Sequence, residues 1–73
     1  MAVPEGIVIG TKLTEARKAA GLSRSELSQK SGIKHLTIKY YELGIRDINI
    51  ARVDIVKALA QALNLKIEDI LDY

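Results

Sequence analysis

The densest chemistry in this chain lies in residues 34–41, where Lys34, His35, Thr37, Lys39, Tyr40 and Tyr41 place two ammonium groups, an imidazole, a hydroxyl and two phenols within eight positions. Such groups donate hydrogen bonds and neutralise anions. Ile38, Tyr41 and Glu42 fall at i, i+3 and i+4, the spacing of one helix face, so the cations point the other way. The stretch therefore predicts a short helix with an inward apolar side and an outward basic and aromatic side. Catalytic equipment is missing around it. The chain has one His and no Cys, and it shows no glycine-rich phosphate loop and no metal-ligand spacing, so neither an enzyme, a cofactor nor a metal site is expected. Glu68 and Asp69 form an acidic pair that reads as solvent-facing.

The element that must carry this helix lies just before it. Ser23 and Glu26 form a capping box, in which the hydroxyl satisfies one free helix-start N–H and the glutamate reaches back to another. Leu27 follows among polar neighbours, and Gly32 supplies the left-handed conformation that ends a helix at little cost. Ile33 then re-enters the apolar layer, and the second helix begins almost at once, spanning residues 34–43. Two short helices joined by a glycine-containing turn of three to four residues are the helix-turn-helix signature, whose second helix enters the DNA major groove.

Seventy-three residues make one domain with no cysteine, Phe or Trp, so Ile, Leu, Val and Ala must build the core. A core of this size rarely supplies more than about 3–5 kcal/mol, and oligomerisation is a usual remedy. Self-association, as a homodimer, is therefore expected. The net charge of +2 says little, but residues 1–52 carry nine Lys or Arg against five acids and residues 53–73 carry two against four. The basic part contains the proposed reading helix; ordinary solvated charge is the competing account. No signal peptide and no stretch of transmembrane length is evident, which makes a cytoplasmic protein with no membrane partner the expectation.

Along the chain, residues 1–8 read as an N-terminal arm and residues 9–73 as the domain. Ile7, Val8 and Ile9 could pack on the body or pair with a partner chain. Ile9, Leu13, Ala16, Arg17 and Ala20 share the face of a first helix that Gly21 ends. After the helix-turn-helix pair, Gly44 closes the reading helix and residues 45–52 connect to a segment whose buried stripe is Val53, Val56, Leu59, Ala60 and Leu63. Asn64 is a plausible cap, and Leu65, Ile67, Ile70 and Leu71 fit a last short helix or turn. The expected fold class is all-α, a compact arrangement of five helices. Arg17 and Glu42 both sit on inward faces; since an unpaired buried charge is costly, the two should meet in a salt bridge that clamps the first helix to the end of the third.

Together these residues resemble the lambda-repressor-like or Cro-like helix-turn-helix regulators, the XRE family. The likeness covers Ile9-Gly10 with Leu13 and Arg17, Gly21-Leu22-Ser23, Glu26-Leu27-Ser28, Gly32-Ile33, Thr37-Ile38, Glu42 with Gly44, and the downstream apolar run from Ala60 to Leu71. The resemblance implies a compact five-helix lambda-repressor-like domain and an arginine–glutamate pair of the kind inferred for Arg17 and Glu42. It implies double-stranded DNA as partner, read by Lys34, His35, Leu36, Lys39 and Tyr40, with Thr37, Arg24 and Arg46 or Arg52 as further contacts. Lysines suit phosphate or guanine O6 and N7, His35 a base, a phosphate or simple packing, and Leu36 a thymine methyl. Tyr40 can stack or donate to phosphate. Thr37 either contacts phosphate or fills the gap against helix two. Dimerisation through Leu65 to Tyr73 is also implied.

Three departures from the family pattern bear on mechanism. Arg24 stands where the family often has Gln, Ser28 where a small Ala is usual, and Lys34 where Ser or Thr often caps the helix. Lys34 puts a cation against the positive end of the helix dipole, a cost that a nearby phosphate would relieve. The expected function is a sequence-specific DNA-binding transcriptional regulator, a repressor of phage or mobile-element type. The competing expectation is a protein-interaction module of antitoxin type on the same fold, which exposed Ile48 and Ile50 would favour.

Overall fold

Local caps close the C-terminal ends of the α-helices in the computed structural model, which describes residues 11–71. Helix α1 (Thr11–Ala19) ends in a Schellman motif: Leu22 N–H donates to Arg17 O at 3.1 Å and Gly21 N–H to Lys18 O at 2.9 Å. Helix α2 (Arg24–Ser31) starts at the capping box read from sequence, with Glu26 N–H on Ser23 Oγ at 3.0 Å and Ser23 N–H on Glu26 Oε1 at 2.8 Å. The bond from the Ser23 backbone, followed by that from its hydroxyl, holds the Glu26 carboxyl below its ordinary pKa. At the far end Gly32 adopts φ 77°, a left-handed conformation that strains any residue with a Cβ.

Residues 32–34 form the turn before α3 (His35–Glu42), and two serines of α2 stitch it. Ser28 Oγ donates to Ile33 O at 2.6 Å, and Ser31 Oγ accepts from Ile33 N–H at 3.1 Å. Ser28 thus does more than save space against α3; its hydroxyl ties down the chain between the two helices. Helix α3 ends like α1, with Ile45 N–H on Tyr40 O at 2.9 Å. A 3-10 turn at Ile48–Ile50 follows, then α4 (Val53–Ala62) and a second 3-10 turn at Ile67–Asp69. Helix α4 closes with the same bond pattern but on Asn64, at φ 58°, a residue type that tolerates the left-handed region better than most.

One core joins these pieces. Leu13 from α1, Leu27 from α2, Ile38 and Tyr41 from α3, and Val56, Leu59, Ala60 and Leu63 from α4 are buried together with Ile48, Ile70 and Leu71. Tyr41 is core, as its inward position predicts.

The described residues form an all-helical fold, with four α-helices where five helices are expected from sequence. The segment from Leu65 to Leu71 makes a single 3-10 turn, with Asp69 N–H on Lys66 O and Ile70 N–H on Ile67 O, each at 3.0 Å. So short a segment gains too few i→i+4 bonds to offset helix nucleation, and it stays in place because Ile70 and Leu71 enter the core. Two apolar positions also differ from the sequence reading. Ala20 lies past the end of α1 and is exposed, and Val53, the first residue of α4, is 65 % exposed because it projects beyond the body that covers the rest of its stripe. Ile9 and the arm expected over residues 1–8 lie outside the described residues.

Removal of the Ser28 hydroxyl tests the stitched turn. Ser28→Ala leaves the Ile33 carbonyl without its donor and is expected to cost about 1 kcal/mol, which lowers the thermal midpoint by about 4–8 °C in a domain of this size. A melting curve by circular dichroism that coincides with the wild type would show that the hydroxyl carries no load.

Candidate nucleic-acid interface

Helix α3 is held from behind by a buried ionic cluster. Arg17 Nε donates to Glu42 Oε2 at 2.6 Å and Arg17 Nη2 to Glu42 Oε1 at 3.1 Å, while Arg17 Nη1 reaches the Leu22 carbonyl at 2.9 Å. Arg24 adds a third bond to the same carboxylate, Nε to Oε1 at 2.8 Å. The side chain of Glu42 retains 1 % of its surface, that of Arg17 10 % and that of Arg24 30 %. One carboxylate therefore joins α1, the loop after it, the first residue of α2 and the last residue of α3. Among the described residues no buried side-chain polar atom lacks a partner, which is the condition under which a buried ion pair can be tolerated.

The cluster also sets the charge state of Glu42. Burial, the largest single influence, pushes its carboxyl upward, but hydrogen bonds and charge from Arg17 and Arg24 together outweigh it and leave the pKa below the ordinary 4.5.

With its inner face fixed, α3 turns the other outward. Lys34, His35 and Leu36 are exposed, Leu36 at 53 %, and Thr37, Lys39 and Tyr40 are half-buried along the next turn. Lys34 occupies the N-cap position with no side-chain cap bond, so the cation sits at the positive end of the helix without local compensation. Arg46, just beyond the helix, lies over the Tyr40 ring at 5.8 Å from its centroid, and its N–H donates to Tyr40 O at 3.2 Å. The cation–π contact makes Tyr40 and Arg46 a single unit at the C-terminal end of the face. Arg52 is apart from it, paired with Asp54 at 3.2 Å in full exposure, a geometry of little energetic weight.

The bond from Arg24 to Glu42 is the part the sequence reading does not contain. Arg24 Nε is spent on Glu42, and its two terminal amino groups have no partner among the described residues. Arg24 can thus brace α3 through Glu42 and still present donors to solvent. The Ser23 cap, which fixes Arg24 as the first residue of α2, is a sequence signal pointing to it.

A helix-turn-helix family model matches residues 13–70 of the chain. The chain belongs to the lambda-repressor-like helix-turn-helix family. This helix-turn-helix protein is a DNA-binding transcriptional regulator. It is similar to the restriction-modification controller protein C.AhdI from Aeromonas hydrophila, whose crystal structure it matches with a TM-score of 0.77 at 28 % identity, over 89 % of this chain and 94 % of that one. No curated protein sequence matches it. In this regulator the Arg17–Glu42 pair is joined by a second arginine, Arg24.

Two measurements test the cluster. Arg17→Ala strips Glu42 of two of its bonds and is expected to cost about 3–5 kcal/mol in urea unfolding, enough to unfold much of the population of so small a domain; an unchanged midpoint would remove the cluster from the account. The second is pH. A carboxyl with a depressed folded pKa contributes stability that is complete above its unfolded value near 4.5 and is lost as pH falls through the lower folded value. Acid unfolding of the wild type should therefore steepen below that point, and Glu42→Gln should flatten this part of the curve.

Proposed function

We propose that the chain binds a pseudo-palindromic DNA site as a homodimer and represses transcription from it. The observation that carries the reading is the outward face of α3, cationic, aromatic and open, on a helix anchored at its C-terminal end by Glu42. A rigid reading helix keeps donors where base edges will be, so less ordering cost is met on binding. Lys34 and Lys39 neutralise phosphates or donate to guanine, and a phosphate beside Lys34 offsets its clash with the helix dipole. His35 donates to a base edge, Leu36 packs on a thymine methyl, and Thr37 lies against the backbone. Tyr40 and Arg46 act together on one phosphate, and the terminal groups of Arg24 act on another. The activity is binding without a catalytic step, exercised in the cytoplasm; no described helix is long and apolar enough to cross a membrane.

Similarity to a restriction-modification controller protein supports a regulator carried by a mobile element. Two such subunits would set their reading helices about 34 Å apart, one turn of the duplex, on one side of the DNA. The antitoxin-type reading keeps one supporting observation, since Ile50 is 83 % exposed, whereas Ile48, at 0 %, is core.

Selection of bound duplexes from a random pool is the direct test. An enriched inverted repeat with half-sites about one helical turn apart is expected; no enrichment would overturn specific recognition. On the selected site, Lys39→Ala should weaken binding to all sequences and lower the salt slope by about 1. Leu36→Ala should instead relax preference at one thymine position. The reverse pattern would exchange the two roles.

A further inference from the structure

Arg24 is surplus to the charge it helps to bury. Arg17 alone gives Glu42 two bonds and a full countercharge, from Nε at 2.6 Å and Nη2 at 3.1 Å, so the carboxylate is balanced before Arg24 adds its bond at 2.8 Å. A second guanidinium beside a balanced pair leaves one positive charge uncompensated, and a partly desolvated charge is stabilised by a further anion. Arg24 is also where the cluster opens. Its side chain keeps 30 % of its surface, against 10 % for Arg17 and 1 % for Glu42, so within the cluster an external group reaches Glu42 through Arg24.

The shape of the guanidinium decides what such a contact does. Its five donors lie in one rigid plane, and the bond from Nε to Glu42 fixes that plane against the last residue of α3. The terminal amino groups, which have no partner among the described residues, therefore point in directions set by α3. An oxyanion that takes them is registered against that helix. The other end of α3 is already held, because Ser28 and Ser31 tie Ile33 in the turn before it.

We propose that Arg24 is a positioning residue for base recognition: one backbone phosphate, bound by its terminal amino groups, is registered through Glu42 against α3, so that His35 and Leu36 meet their bases only when that phosphate is in place. The proposal rests on the DNA-binding reading above. It adds that Arg24 governs discrimination between sequences, where an independent phosphate contact would govern affinity alone. Geometry carries the effect. Lysine has the same charge but a single donor centre, which cannot hold Glu42 and a phosphate at separate edges of one plane.

The test is fluorescence anisotropy of the full chain on the selected duplex and on a scrambled duplex of equal length, over a range of salt, for wild type, Arg24→Lys and Arg24→Gln. Circular dichroism checks that each variant is folded, and both retain the two Arg17 bonds to Glu42. Arg24→Gln is expected to lower the salt slope by about 1, as loss of one phosphate contact requires. Arg24→Lys should keep more of that slope, yet lower the ratio of specific to non-specific affinity by at least about tenfold, equivalent to 1.4 kcal/mol. Adding Leu36→Ala to Arg24→Lys should cost less than Leu36→Ala costs the wild type, because a misplaced α3 has already lost that contact. A merely structural role would weaken the fold without making the two substitutions interdependent in binding. Arg24→Lys with the wild-type ratio, an unchanged slope in Arg24→Gln, or additive losses with Leu36→Ala each overturn the proposal.

A second measurement needs no variant. In a scan of neutral methylphosphonates along the selected duplex, neutralising one phosphate should make the wild-type chain less sensitive to single base-pair changes; if every phosphate gives additive losses, the proposal falls. A wild type that selects no duplex overturns the DNA reading and this proposal with it, whereas a selected site that Arg24→Lys reads like the wild type overturns this proposal alone.

Discussion

The interaction on which the structure turns is the burial of Glu42 between two arginines. A carboxylate with 1 % of its side-chain surface left would be untenable alone. Three guanidinium bonds make it tolerable, and together they fix two relations: Arg17 sets α1 against α3, and Arg24 sets the start of α2 against the end of α3. Such a cluster need not add much net stability compared with an apolar replacement. What it supplies is geometry, because hydrogen-bonded charges in a dry site have few alternative arrangements of comparable energy. The cluster also carries one positive charge in excess, and Arg24, its most exposed member, is where that excess reaches solvent.

Everything outward follows from what is fixed inward. With Ile38, Tyr41 and Glu42 facing the core, α3 has no freedom in which residues it presents, and the cations, Leu36 and Tyr40 occupy the open face. The stitched turn serves the same end from the other side. Ser28 and Ser31 hold Ile33, so α2 and α3 are joined as one rigid corner. Where the chain leaves α3 the constraint relaxes, and the residues from Ile45 to Val53 present aliphatic groups that the small core does not absorb.

Several features were legible from sequence because their causes are local. The capping box at Ser23 and Glu26, the stop at Gly32 and the inward spacing of Ile38, Tyr41 and Glu42 depend on neighbours within four residues, and backbone geometry translates such spacing directly into contacts. The Arg17–Glu42 pairing spans 25 positions, yet it too could be read, since two opposite charges on buried faces have no cheaper solution than each other.

The tertiary structure decided the rest. Arg24 joins Glu42 across 18 positions, and nothing in the local pattern of a partly exposed arginine names that partner. Val53 matches the period of a buried stripe and is nonetheless exposed, because periodicity assigns a side but not whether a neighbour covers it. Ile48 and Ile50, two residues apart in one turn, divide completely between core and solvent. The last apolar run forms a turn where a helix is expected, since packing of Ile70 and Leu71 satisfies it before helical hydrogen bonds accumulate. Sequence alone determined the capping box and glycine stop of α2, the helix-turn-helix and the inward spacing of Ile38, Tyr41 and Glu42; only the folded chain determined who braces α3 and which apolar side chains remain uncovered, because both depend on distances between segments that no local pattern encodes.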